Sequence, residues 1–368
     1  MDPEPRPVRV AFFPMHPADD RATDTFCSLP ASRSGGRGIE GRVFAPSGPA
    51  LRHRLYRGKR PGWQLTALVY WYLIVLPRRF AQLVRARDFD VIFVQRSMFR
   101  WKSPPVLEFL ARRLLRKPIA YHMDDGIWLA ARRRWSVDRC RIATTVVTGN
   151  RAITEFAEEA GAEVTPIEYS LDVNAYPVKE HRRHSPGEPV VIGYTGIAPD
   201  EHLAPIAEPI RQVCEATGAR LRVVGGLHRP ALPGLDEHLD WKPWDHEDKY
   251  SWARDFDIGV MPLTDTALHR TKDPMKVKEY MAAGLPQVVS PVGHILSVVT
   301  DGEQGIFARD AAEWREGLTR LVESPELRAE MGRKGRARML ERYDLPVLLD
   351  DLAAMFRRLA GVSAPAAD

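Results

Sequence analysis

The feature that most restricts the fold of this chain is a rhythm. Short β-branched runs alternate with helical patterns, at residues 8–13, 90–95, 119–123 and 144–148, and again at 190–194, 220–224, 257–263 and 287–292. Strands that alternate with helices form parallel sheets covered on both faces, which predicts the α/β class. A chain of 368 residues is too long for one ordinary core and predicts two domains of about 150–200 residues each. The polar stretch 177–189, bounded by prolines and carrying His181, Arg182, Arg183 and His184, reads as the linker between them. The expected units are therefore 1–178, 188–345 and a closing segment 346–368. Leu348, Leu349, Leu352, Met355, Phe356 and Leu359 of that segment fall on one helical face, with a loose tail expected from Ser363 onward.

Charge separates the halves. Residues 1–150 hold 27 Lys and Arg against 12 Asp and Glu, a net of +15, whereas residues 151–368 hold 26 against 36, a net of −10. The basic half, with Arg78-Arg79, Arg112-Arg113 and Arg132-Arg133-Arg134 as clusters, reads first as a solvated surface. An anionic lipid or acceptor is the alternative, with weak peripheral membrane contact at most. The longest apolar run, 63–76, is too short to span a bilayer. Its Trp63, Tyr70, Trp71 and Tyr72 beside arginines suit an interfacial helix, while its length favours a helix buried under the first sheet. Cys27, Cys140 and Cys214 are widely spaced and odd in number, which argues against a disulfide framework or a zinc site. With no secretory pattern in the first nine residues, a cytoplasmic location is expected.

The densest chemistry lies at 272–293. Asp273-Pro274 is a helix start, 275–283 reads as helix, Gly284 as its stop and 287–292 as an apolar strand. Lys272 and Lys276, four residues apart, share one face at the positive end of that helix, where phosphates bind favourably. Upstream, Gly193-Tyr-Thr-Gly196 forms a glycine-rich turn from strand to helix, where the backbone of Thr195 and Gly196 can approach a pyrophosphate.

The segment ending in Glu279-Tyr-Met-Ala-Ala-Gly284 resembles the carboxyl-terminal signature of retaining glycosyltransferases of family 4, which have the GT-B fold of two Rossmann-like domains around a cleft. The resemblance is specific over 190–344. It implies a nucleotide-diphosphate sugar as co-substrate with no separate cofactor, and a closing helix that crosses back to the first domain. Glu279 matches the second glutamate of the family's E-x7-E pattern, which holds the donor ribose, while Thr271 stands where the first would be. By the same resemblance Lys276 and Lys272, with Arg270 as helper, hold the leaving diphosphate, and the turn at Gly293 and His294 offers backbone N–H groups. Lys242-Pro-Trp-Asp245 resembles the family segment that forms the base pocket, so Trp244 reads either as a wall of that pocket or as a core tryptophan at a domain edge. Where relatives carry an arginine and a lysine after the glycine turn, this chain reads Ile197-Ala-Pro-Asp-Glu-His202.

In the first half, Tyr121-His-Met-Asp-Asp125 closes a predicted strand, where ligand groups of open α/β sheets collect. His122, which resembles a family histidine facing the donor sugar, and Asp124 are the catalytic candidates beside Lys276. Asp125 and Arg96 are expected on the acceptor side. The Asp-Asp pair also invites a metal reading. The fold that holds a divalent ion with paired aspartates would not need the helix at Lys276 and Glu279, so no metal is expected. The resulting reading is a retaining, metal-independent transferase moving sugar to an acceptor hydroxyl, for which UDP, GDP and dTDP sugars, and natural-product, polysaccharide and glycolipid acceptors, all remain open. A catalytically silent GT-B subunit that binds a nucleotide sugar or a partner is the alternative, favoured by Thr271.

Overall fold

The structure, a computed structural model, describes residues 6–17, 21–48, 63–100, 102–130, 132–185, 187–196, 198–245 and 250–362. The expected tail from Ser363 lies outside them. The chain divides into two compact units, residues 1–169 with 346–368, and residues 170–345.

The first unit is built on a six-stranded sheet in the order β2-β1-β3-β4-β5-β6. Its strands are β1 (Val8–Pro14), β2 (Ile39–Val43), β3 (Val91–Gln95), β4 (Ile119–Met123), β5 (Thr145–Thr148) and β6 (Val164–Pro166). All its ladders are parallel. Every residue of β3 and β4 is buried, as expected for central strands covered on both faces. One face is sealed by the helix Leu345–Ala360, whose Phe356 meets Phe12 and Phe93 edge-on at 5.7 and 5.9 Å. The other face carries a shared apolar core under the helices of 63–86 and 106–115.

Two expectations change in this unit. The run 63–76 opens a longer helical stretch reaching Ala86, with a π-helical turn at Tyr70–Val75 just before Pro77, which lacks a donor for an ordinary turn. Tyr70 and Val75 are buried, but Leu65, Leu68, Val69, Tyr72 and Leu73 face outward, so the run is only half covered. Nor is the Arg78-Arg79 pair a surface cluster. Arg79 is fully buried, donating to the carbonyls of Pro14, Phe44 and Met98, and so ties together the carboxyl ends of β1 and β2 and the turn after β3. Burial pushes its guanidinium down to about 9.

The second unit has strands β7 (Val191–Thr195), β8 (Arg220–Val224), β9 (Leu239–Lys242), β10 (Ile258–Met261), β11 (Gln287–Val289) and β12 (Ile306–Phe307). They pair in the order β12-β11-β10-β7-β8-β9, again all parallel. Counted from β7, this is the 3-2-1-4-5-6 order of doubly wound nucleotide-binding sheets, with the switch point between β7 and β10. The stretch expected as a linker belongs to this unit, because the boundary falls after Tyr169. Lys179 donates its backbone N–H to Ala283 at 2.9 Å and pairs with buried Asp257 at 3.0 Å, and His181 reaches the Gly284 carbonyl. A polar composition marked this segment as solvated, but its polar groups satisfy the end of one helix and the start of β10 instead. Among the described residues no helix is long and apolar enough to cross a membrane.

Candidate functional site

In the second unit the helix Met275–Ala282 forms as its sequence dictates. After Ala283, Gly284 adopts φ 70°, and the N–H groups of Gly284 and Leu285 return to the carbonyls of Met281 and Tyr280. This paired closure satisfies the orphan carbonyls of the last turn and starts the path into β11. The opposite end of the helix carries Lys276, whose Nζ lies 5.0 Å above the Tyr194 ring. Lys276 also reaches the turn after β7. A Cβ on Gly196 would lie 2.7 Å from Lys276 Cε and 2.8 Å from the Tyr194 hydroxyl, so a larger residue there would have to push the end of Lys276 aside.

Two histidines join this group, and the sequence reading had not included them. Tyr194 Oη and His202 Nδ1 are 2.6 Å apart, and the His202 and His269 rings stand 6.4 Å apart. His202 is held down to about 4, first by burial and then by the charge of Lys276, with Lys272 adding to it. Glu201 opposes the two lysines, so burial remains the main cause of the shift. Both histidines border a cavity of about 500 Å³ at the switch point, whose charged lining is Glu201, Asp265, Asp310 and Arg309. A signal did exist: His202 is a cationisable side chain six residues past Gly196, in the interval where relatives place arginine and lysine.

The other donor-side candidates are placed less uniformly. Lys272 is half-buried close enough to influence His202. Thr195 is buried, its N–H donating to the Tyr280 hydroxyl at 3.3 Å. Glu279 is buried and accepts a hydrogen bond from Tyr176 at 3.1 Å. Gly293, at φ 58°, presses on the Arg270 backbone, where a Cβ would lie 2.7 Å from Arg270 Cα. His294 is buried, and burial followed by the charge of Lys278 holds it down to about 3. Arg270 is engaged outward, with two bonds to Asp265 at 2.6 and 2.8 Å. Thr271 is buried and donates to the Leu268 carbonyl. Trp244 borders a separate hollow of about 690 Å³ beyond β9, with Lys242, Trp252 and Asp255.

In the first unit the candidates form one tight cluster at the ends of β3 and β4. Arg96 takes a left-handed conformation, φ 66°, which disfavours a residue with a Cβ and aims its guanidinium across the strand ends. Its Nε meets Asp124 at 2.8 Å and its Nη2 meets Asp125 at 2.9 Å, so the carboxylates nearest to a metal-ligand pattern are both engaged by one arginine. Gln95 also donates to Asp124. Burial alone would raise the Asp124 carboxyl, but Arg96 and His122 outweigh it and hold it below its ordinary value. His122 is 1% exposed, stacked on Phe26 with ring centroids 3.7 Å apart, and its Nδ1 has no hydrogen-bond partner among the described residues. Burial pushes it down to about 4, so it is neutral near pH 7.

Comparison with known proteins adds to this geometry. The sequence pattern of the family described as "Glycosyl transferases group 1" matches residues 189–324, inside the second unit. A trehalose synthase of Pyrococcus horikoshii is 25% identical over 197 residues, which is 48% of this chain and 45% of that protein, so the match spans less than half of the relative. Among solved structures, Anabaena HepE in complex with UDP and glucose superposes with a TM-score of 0.67 at 15% identity, over 95% of this chain and all of that one. Sucrose-phosphate synthase from Thermosynechococcus elongatus gives 0.66 at 15% identity over 97% of this chain and all of that one. The fold is that of the GT-B glycosyltransferases, an α/β architecture of two Rossmann-like units.

Proposed function

We propose that the protein is a glycosyltransferase that moves a sugar from a nucleoside-diphosphate sugar to an acceptor hydroxyl, with retention of anomeric configuration and without a metal. The observation that carries this reading is the cationic turn of the second unit, where Lys276 meets the glycine turn after β7 beside His202. A departing diphosphate gains negative charge as its bond to the anomeric carbon breaks, and preorganised cations and N–H groups stabilise that charge more than the ground state. Lys276 and Lys272 supply the fixed charge. Glu279, oriented by Tyr176, serves the ribose hydroxyls, and the hollow at Trp244 suits the base.

In this reading the acceptor oxygen bonds to the anomeric carbon on the face the diphosphate leaves, and the acceptor proton passes to a diphosphate oxygen. No strong protein base is then required, which agrees with a His122 that holds a proton only weakly and an Asp124 already committed to Arg96. His122, Asp124, Asp125 and Arg96 orient the neutral partner. UDP-sugars are the first donors to test, because the Anabaena HepE structures hold UDP and UDP-glucose. A thermal-shift screen of UDP, GDP and dTDP sugars identifies the donor, since a ligand at 100 times its Kd stabilises a fold by about 2.7 kcal/mol. NMR of the product's anomeric proton then decides the stereochemistry. An inverted linkage rejects the mechanism, and turnover that vanishes with EDTA and returns with magnesium or manganese rejects its metal independence.

A further inference from the structure

We propose that the helical face of the first unit formed by residues 63–86 and 106–115 docks onto an anionic lipid surface. Among the described residues, ten of the sixteen large apolar side chains left exposed lie on these two stretches. Leu65, Leu68, Tyr72, Leu73, Phe80 and Val84 recur at helical spacing along the first, and Val106, Phe109 and Leu114 stand on the second. Both stretches cover the same side of the sheet. Their inner residues, Tyr70, Val75 and Leu83 on one and Leu107 and Ala111 on the other, enter a single core with Ile92, Val94 and Tyr121. The outward residues therefore form a concentration of apolar surface that solvated proteins rarely leave open.

Charge identifies the occupant. Residues 63–86 contain no Asp or Glu, and the one carboxylate of 106–115, Glu108, is buried against Arg139 at 3.5 Å. Apart from the buried Arg79, the cations of the same stretches remain at the surface, with Arg78, Arg85, Arg112 and Arg113 all exposed. Beside the first stretch, at the end of β2, a groove of about 370 Å³ is lined by Arg42, Phe44, Ala45, Arg78, Gln82 and Arg85. It offers three guanidinium groups and no carboxylate. Apolar side chains interleaved with arginines, with aromatic residues among them, no exposed acid on either stretch and one bordering carboxylate, Asp138, paired with Arg134 at 3.8 Å, match the interface of a bilayer with anionic headgroups. The apolar groups enter the acyl boundary and the arginines meet the phosphates. The whole surface belongs to one unit and does not depend on the transferase reading.

Sedimentation of the full chain with vesicles tests this. Binding to phosphatidylcholine vesicles containing phosphatidylglycerol should exceed binding to phosphatidylcholine alone by about tenfold, and should fall as salt is raised. Leu65→Ser with Leu73→Ser, and separately Arg112→Glu with Arg113→Glu, should each reduce it by about tenfold, because these side chains sit at the surface and their loss leaves the core intact. Leu227→Ser, a similarly exposed apolar residue of the second unit, should leave binding unchanged. Equal partition of all variants, or no binding to either vesicle, overturns the proposal. So does a self-associating protein that Leu65→Ser with Leu73→Ser returns to monomer, since a second copy would then be the occupant.

Discussion

The two units share a parallel sheet and a Rossmann-like winding, yet their strand ends are electrostatically opposite in style. At the ends of β3 and β4 in the first unit, one arginine is divided between two aspartates, and the histidine beside them is buried and neutral. At the end of β7 in the second, a lysine and two histidines gather around a glycine turn, and burial, then the charge of Lys276, suppresses protonation of His202. A compensated cluster suits the orientation of a neutral sugar or hydroxyl. The lysines beside the turn suit a diphosphate. The same architecture thus presents two chemistries, and the difference lies in which side chains the loops deliver to equivalent strand ends.

The largest expected effect breaks the first cluster. Arg96→Ala leaves the Asp124 carboxylate buried without its main cation, which should lower stability by about 3–5 kcal/mol in urea unfolding. Donor affinity, measured on the folded fraction, should change little. A variant as stable as the wild type would mean that the aspartates are solvated rather than compensated.

Acid probes the same cluster through His122. Its proton affinity is depressed in the folded chain, from an ordinary 6.5 to about 4, so the unfolded chain binds the proton first. Stability is therefore complete above about pH 6.5 and is lost as pH falls from there toward 4, by at most about 3 kcal/mol from this residue. His202 and His294 are shifted in the same direction. His122→Gln should flatten the decline between pH 6.5 and 4, and an unchanged slope would show that the ring is hydrated in solution.

On the second unit, Lys276→Ala should weaken donor binding by about 2 kcal/mol, as for a charge-assisted contact, while the unliganded melting temperature stays nearly constant. Calorimetric titration with the donor found in the screen checks this. Unchanged affinity would remove the turn from the binding site and leave the contrast between the units without functional meaning. Gly196→Ala should have the smallest effect, about 1 kcal/mol in donor affinity. The added methyl must displace the flexible end of Lys276, although the Tyr194 hydroxyl on its other side is less able to yield.

The central strands were legible because burial on both faces writes continuous apolar runs, as in β3, β4 and β7. The four strands outside the eight runs of the alternating rhythm, β2, β6, β9 and β12, are all sheet edges. Each is short or half-exposed, and Ile-Glu-Gly-Arg-Val or Val-Thr-Pro carries too little apolar pattern to mark a strand. The helix at Lys276 and its glycine stop were equally legible, since caps are local chemistry. His202 and His269 were not, because they are 67 residues apart in the chain and become neighbours only when β7 and β10 pair.

What the sequence determined by itself was everything encoded by short-range periodicity and capping: the α/β class, two units, the lysine-bearing helix and the basic character of the first half. Tertiary structure alone decided which charges count. It buried Arg79 among three carbonyls, divided Arg96 between two aspartates, closed Phe26 over His122 and left the outer face of residues 63–86 uncovered. A pattern in sequence specifies that a residue is apolar or charged and how often it recurs. Whether that residue meets solvent, a partner or a ring depends on contacts between segments far apart in the chain, and those exist only once the sheets are assembled.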